Sequence, residues 1–348
     1  MSPRTSSSPL RHLSPVVMCA ALSIMAMVPS GCDKEAPQPV ATDGPEAFDG
    51  EVRETARQYQ NERYDELERR LTQYAMLSER FDDGRFKLHA LQEFFDNFGG
   101  WADVRSAREY ARIQRWRSAR PRSIAAVLAE VGYWRAYAAT AWERTATSTL
   151  SPAECKLLKE RLHRAEALLA QSETFASKNP LWWVETLQVA QDLDEPPDAV
   201  KEIWRRGNQV FPDYFPLHFT MLQSFDPRVG GSLAAQAAFI DEVSDRASVS
   251  EREMLYARMW WTVARTDAPG IDVFARGGVS WVRMKAGFEQ LAVSWPKSDW
   301  NASSYAYFAC RAGDGPTYRK LRVALGGHLR WDAFSSFYST DFCNALVG

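Results

Sequence analysis

The chain has almost no strand signal. No stretch alternates apolar and polar residues cleanly over six positions, and no Asn-Gly or Asp-Gly pair sits between β-branched runs. It has no surplus of either charge: 42 Lys and Arg face 44 Asp and Glu, a net charge of −2. That leaves no overall electrostatic claim on nucleic acid. Glycine and proline, 19 and 18 residues, stay at ordinary levels and exclude a collagen-like or low-complexity chain. With 45% hydrophobic residues, disorder throughout is excluded as well. The 348 residues are enough for one large domain or two smaller ones.

Reaction motifs are missing too. There is no G-x-S-x-G elbow, no phosphate-binding G-x-x-x-x-G-K-[ST] loop and no G-x-G-x-x-G. Beyond the first 31 residues the histidines are His89, His163, His218 and His328. No two lie within one helical turn, so no H-E-x-x-H zinc site exists. The sequence therefore points to no metal and no cofactor. A Cys/His pair assembled in space, such as Cys310 with His328, stays open without local support.

What is present begins with an address. Arg4 and Arg11 precede an apolar run from Val16 to Val28. The run suits a signal-peptide core and is too short to span a bilayer, which needs roughly 20 apolar residues. Pro29-Ser30-Gly31-Cys32 follows at once. Ser30, Gly31 and Cys32 resemble the lipobox of bacterial lipoproteins, in which the Cys is diacylated and becomes the new N-terminus. Pro29 stands where that family prefers Leu, Val or Ala. The alternatives are an ordinary secretory signal cut near here, with Cys32 incidental, and an uncleaved anchor. The resemblance implies a signal peptide over 1–31, lipidation at Cys32 and a place in the bacterial cell envelope, facing the periplasm. Residues 32–50 are rich in Pro, Gly and acids, and read as a disordered tether. The domain then runs from 51 to 348.

Export changes the meaning of the cysteines. Setting aside Cys19 and Cys32, Cys155, Cys310 and Cys343 remain in an oxidising compartment, and none has C-x-x-C spacing. We expect a Cys310–Cys343 bridge, because one helix and the Gly326-Gly327 turn let the chain double back between them. Cys155, on a distant helix, is then the free thiol. Two buried unbridged cysteines are the alternative.

The body shows helical spacing. Leu67, Leu71, Tyr74 and Phe81 share a face, and Ile124, Val127, Val131, Trp134, Ala138 and Trp142 step by three and four. Ser151-Pro152-Ala153-Glu154 is a capping box with Pro at the first helical position, and Ser250 with Glu253 is a second candidate. Asn179-Pro180 ends one helix, and Pro316 opens another. The expectation is an all-α chain of about ten to thirteen helices with short loops. Stacked antiparallel pairs of such helices form an irregular α-solenoid. Two stretches resemble the tetratricopeptide repeat. Leu187, Trp204, Gly207 and Pro212 fit it after Pro180; Trp300, Ser304 and Tyr307 fit its first helix after Pro296.

A wider resemblance covers about residues 60–345. Its pieces are Phe81-Asp82-Asp83-Gly84-Arg85-Phe86-Lys87-Leu88, Arg120-Pro121-Arg122-Ser123 leading to Ala141-Trp142-Glu143-Arg144, Phe211-Pro212-Asp213-Tyr214, Asp226-Pro227-Arg228-Val229-Gly230-Gly231-Ser232, and Trp300-Asn301 through Asp314. In this order they are similar to the bacterial domain-of-unknown-function family 4034, with Val229 in place of its usual Trp. The resemblance implies a helical, repeat-like domain and brings no catalytic residues.

Two surface features carry expectations. Gly230-Gly231-Ser232 is either a Gly-rich helix start that holds an anion or a tight turn with Ser232 as N-cap. Arg105, Arg108, Arg112 and Arg115 fall on one helix face. Pairing with the Asp82-Asp83 turn, plain solvation, anionic headgroups and an acidic protein partner are the four explanations. The functional expectation is a membrane-tethered, non-enzymatic interaction or scaffold module with an envelope protein as partner. The alternatives are an envelope enzyme with a site assembled from separated residues, and an immunity lipoprotein that binds a toxin.

Overall fold

The computed structural model describes residues 42–141, 150–266, 273–334 and 338–347. Among these it is all-helical, with no strand and a single isolated bridge between Arg80 and Phe86. The helices are α1 Gly44–Gln60, α2 Tyr64–Leu77, α3 Lys87–Asp96, α4 Phe98–Trp101, α5 Ala107–Ala119, α6 Ile124–Ala139, α7 Pro152–Ala176, α8 Pro180–Asp192 and α9 Pro197–Val210. They continue as α10 Phe215–Gln223, α11 Leu233–Arg246, α12 Arg252–Thr266, α13 Val273–Arg276, α14 Trp281–Ser294, α15 Asp299–Arg311, α16 Gly315–Ala324 and α17 Thr340–Val347. Seventeen described helices exceed the expected number because short ones such as α4 and α13, of four residues each, carry too few apolar positions to show a period.

Chain neighbours pack in succession: α6 on α7, α7 on α8, α8 on α9, α11 on α12, α15 on α16. The ends of the array also meet, with α1 resting on α15. Helix starts follow local chemistry. Ser151 and Glu154 form the full capping box of α7, and Pro152 fills a position whose N–H has no helical partner. Asn179 caps α8 and Asp314 caps α16 through their side chains. The second expected box is not made. The Arg252 N–H donates to the Ser248 carbonyl, and Glu253 turns to Arg283 at 2.9 Å. A strong cation in reach outweighs a cap that reaches only its own backbone.

Residues 44–50, expected in the tether, are the first two turns of α1, and they bury Ala47 and Phe48. Acids and Pro before Phe48 concealed an amphipathic helix that keeps its polar side outward. Phe81 likewise lies beyond the end of α2, where Ser78 turns left-handed at φ 49°. Trp142 and the 143–144 segment lie outside the described residues.

The 81–86 turn joins both halves of the chain. Asp83 is fully buried. Its carboxylate accepts from the Gly44 N–H at 3.0 Å and from Arg85 at 2.8 Å. Its carbonyl accepts from Arg258 of α12 and from Asn301 of α15. Burial disfavours its charge, but Arg85 and Arg258 outweigh that and hold the carboxyl below the usual range. Gly84, at φ +85°, lies against the Trp295 ring, where a Cβ would come within 2.7 Å. Cys310 and Cys343 are joined in a disulfide with Cα atoms 5.6 Å apart, inside a small core with Ala306, Ala309 and Tyr318.

Candidate functional site

The densest charge in the interior lies where α3, α6 and α8 meet. Helix α6 is apolar except for Glu130 and Arg135. Glu130 is held by Gln114 and Arg117 of α5, at 2.7 and 3.1 Å. Arg135 points the other way. It pairs with Asp96 of α3 at 3.1 Å, with Glu185 of α8 at 3.2 Å and with Asp192 at 2.9 Å, and Gln188 accepts from it at 2.7 Å. Gln92 and Gln188 both donate to the second Asp96 oxygen. Burial lowers the basicity of Arg135, but Asp192, Glu185 and Asp96 together raise it above its usual value. Glu185 is fully buried. Burial and the charge of Asp96 push its carboxyl well up against the pull of Arg135. Its Oε1 and the Oε1 of Gln92 find no partner among the described residues.

Beyond this knot the acidic surplus continues into solvent. Asp49 of α1 and Glu93 of α3 are exposed, and Asp96 and Asp192 are half-buried. Burial, then the charges of Asp96 and Asp49, push the Glu93 carboxyl up to about 7. His89, one turn before Glu93, is held down to about 4 by burial and by Arg85, so its imidazole is neutral at pH 7. Asp96, Glu185 and Asp192 share Arg135, while Asp49 and Glu93 have no ion pair among the described residues. The described residues also form an open groove of about 550 Å³ along α2, lined in part by the exposed Met76 and Leu77, and a cleft of about 170 Å³ beside Tyr214.

The residues singled out from sequence fall elsewhere. Arg105 precedes the Ser106 cap of α5, so the stripe on that helix holds only Arg108, Arg112 and Arg115; Arg105, Arg108 and Arg115 are exposed. Arg112 is half-buried, with Glu62 at 3.7 Å and Glu109 at 3.8 Å, and its guanidinium stands over the Tyr59 ring. Glu109 is buried and accepts from the Tyr59 hydroxyl. The stripe does not pair with the Asp82-Asp83 turn, because Asp83 is already bound to Arg85. Further along, Arg120 reaches Asp65 at 2.7 Å.

The imagined Cys310–His328 site is ruled out: the Cys310 sulfur is in the disulfide, and His328 is on the surface. Cys155 is free and half-buried. His218 is buried, with its Nδ1 accepting from Trp204 Nε1 at 3.1 Å, and His163 meets Glu166 at the surface. Ser232 caps α11, and a Cβ on Gly231 would strike the Phe225 backbone. That sequence is a tight turn. No group of three or more His, Cys, Asp or Glu suited to a metal occurs among the described residues. Cys32 lies outside them.

Sequence reading passed over the Arg135 knot. The available signal was the pair of charges inside the apolar run 124–139, since an ion on a helix buried on most sides demands partners. The partners themselves, 39 to 57 positions away, have no local signature. No family model, curated protein or solved structure matches this chain.

Proposed function

We propose that the chain is a lipid-anchored interaction module of the bacterial cell envelope, facing the periplasm, that docks a basic partner on the acidic face formed by α1, α3 and α8. The resemblance of Ser30-Gly31-Cys32 to a lipobox supports the anchor. The observation that carries the docking reading is the gathering of Asp49, Glu93, Asp96 and Asp192 on α1, α3 and α8, where burial and then the charges of Asp96 and Asp49 push the Glu93 carboxyl up. A Lys or Arg brought by a partner relieves that repulsion, so part of the binding energy is already stored in the free face. A non-enzymatic scaffold made of stacked helices suits this use.

Capture from envelope extracts by the wild type and by Asp49→Asn/Glu93→Gln tests the reading. A bound protein with an exposed basic segment, lost in the variant and at about 0.5 M salt, is the expected result. Equal capture by both chains contradicts it.

The pairing of neutral His89 with a raised Glu93, one turn apart on α3, supports a second reading, an envelope enzyme with a site assembled from separated residues. That reading expects Glu93→Gln to abolish turnover of a substrate while leaving protein capture unchanged.

A further inference from the structure

The last third of the chain carries a surface that the docking face does not use. Between Pro316 and Trp331 there are Arg319, Lys320, Arg322 and Arg330, and no acid at all. Arg319, Lys320 and Arg322 are exposed on α16, and Lys320 and Arg322 have no carboxylate partner among the described residues. Val323 beside them is 79% exposed. The segment ends at Trp331, 83% exposed, in a short 3-10 turn packed on α15. An indole in water with no protein against it gives up the largest apolar contact a side chain can make.

Trp331 lies near the point where the chain from Cys32 enters the domain. Its neighbour Arg330 bonds Glu46, in the first turn of α1, at 2.5 Å. Two residues before α1 begins, the described chain ends at Thr42, and only eleven peptide steps separate Asp43 from Cys32. Fully extended, such a segment spans at most about 40 Å. The chain from Cys32 therefore reaches the domain beside Arg330 and Trp331. The Arg105–Arg115 stripe is at the other end of α1, where Gln60 meets Trp101 and Glu62 meets Arg112. A helix of 17 residues puts about 25 Å between the two.

We propose that α16 and the 325–331 turn form a membrane-contact surface: Arg319 and Arg322, three positions apart on the face of α16 that also carries Val323, meet anionic headgroups, and Trp331 enters the interfacial layer. Its orientation toward the bilayer rests on the Cys32 anchor. The chemistry is that of peripheral membrane proteins, with basic side chains drawn to anionic lipid and an aromatic ring seated at headgroup depth. Such contact adds a second signal to an acyl anchor and turns the acidic face of α1 and α3 in a fixed direction.

The test uses the chain beginning at Cys32 with Cys32→Ser, which keeps every described residue and has no acyl group. It is sedimented with vesicles of phosphatidylcholine alone or mixed with phosphatidylglycerol. Binding to the anionic vesicles, weakened by salt, is expected. Arg319→Glu/Arg322→Glu should reduce the partition coefficient by about ten-fold or more, given roughly five-fold for each basic residue at an anionic surface. Trp331→Ala alone should reduce it several-fold with unchanged thermal unfolding, and Arg108→Glu/Arg115→Glu should leave it within about two-fold. No binding to anionic vesicles, equal binding to neutral ones, or equal loss from the Arg108/Arg115 variant overturns the proposal. Because Cys32 is absent from this chain, failure here leaves the anchor standing. A chain that binds vesicles here yet is not acylated in cells removes the anchor and keeps the surface.

Discussion

The Ser298 hydroxyl donates to the Asp43 carboxylate at 2.6 Å across 255 positions of sequence. The other Asp43 oxygen accepts from the Trp300 N–H at 3.1 Å. The residue before the first helix thus shares the cap of α15 with Ser298 and ties the two ends of the described array together. Asp43→Ala should lower unfolding free energy by about 1–2 kcal/mol, the usual worth of a helix cap. Urea titration reads this, and faster amide exchange at Trp300 should accompany it. An unchanged midpoint would show that the ends hold together without this contact.

The Cys310–Cys343 bridge closes a loop of 33 positions in the C-terminal core. In the chain-entropy model a loop of that length stabilises the fold by about 3–4 kcal/mol. Cys310→Ala/Cys343→Ala should lose about that much in a denaturant titration. Under denaturing, non-reducing conditions only Cys155 among these three should accept an alkylating reagent. Alkylation of all three would refute the bridge.

Arg135 balances three carboxylates. Arg135→Met leaves Asp96, Glu185 and Asp192 facing one another, and breaking a buried pair in this way costs about 3–5 kcal/mol. The deficit should shrink at pH 5, where protonation removes the repulsion that Arg135 had offset. A deficit equally large at both pH values would mean that the loss is one of packing volume.

Glu93 gives the pH dependence a definite sign. Its folded pKa, about 7, lies above the ordinary carboxylate value of 4.5, so the folded state holds the proton more tightly than the unfolded one. Its contribution favours folding at low pH and is lost as pH rises from about 4.5 through about 7. Glu93→Gln should therefore raise the melting temperature at pH 8 and do little at pH 5. His89 and His218 act in the other sense. Both are held down to about 4 by burial, so the stability they confer is full above pH 6.5 and fades as pH falls toward 4. A gain from Glu93→Gln that is the same at both pH values would contradict the crowding assigned to that carboxyl.

The all-helical architecture was legible because helix signals are local. The Ser151 box, the Asn179-Pro180 stop and the Val127-Val131-Trp134-Ala138 steps each lie within a few turns, and each holds. The start of α1 was not legible, because Phe48 and Ala47 look solvent-bound until α3 is placed against them. The Arg135 knot and the Asp83 hub were hidden for the same reason, since their partners come from three or four separate segments. Of the four arginines expected on one helix face, Arg105 falls before the start of α5, and Arg112 is drawn inward by Glu62 and Glu109. Nothing on α5 itself marks which of its arginines would find those acids.

The anchor at Cys32 decides whether this is an envelope protein at all. The direct measurement is metabolic labelling of bacterial cells expressing the full chain with an alkyne fatty acid, followed by fractionation. Wild type should carry the label and sediment with membranes, and Cys32→Ala should carry none and leave the membrane fraction. Wild type without label, or label that persists in Cys32→Ala, would contradict the account.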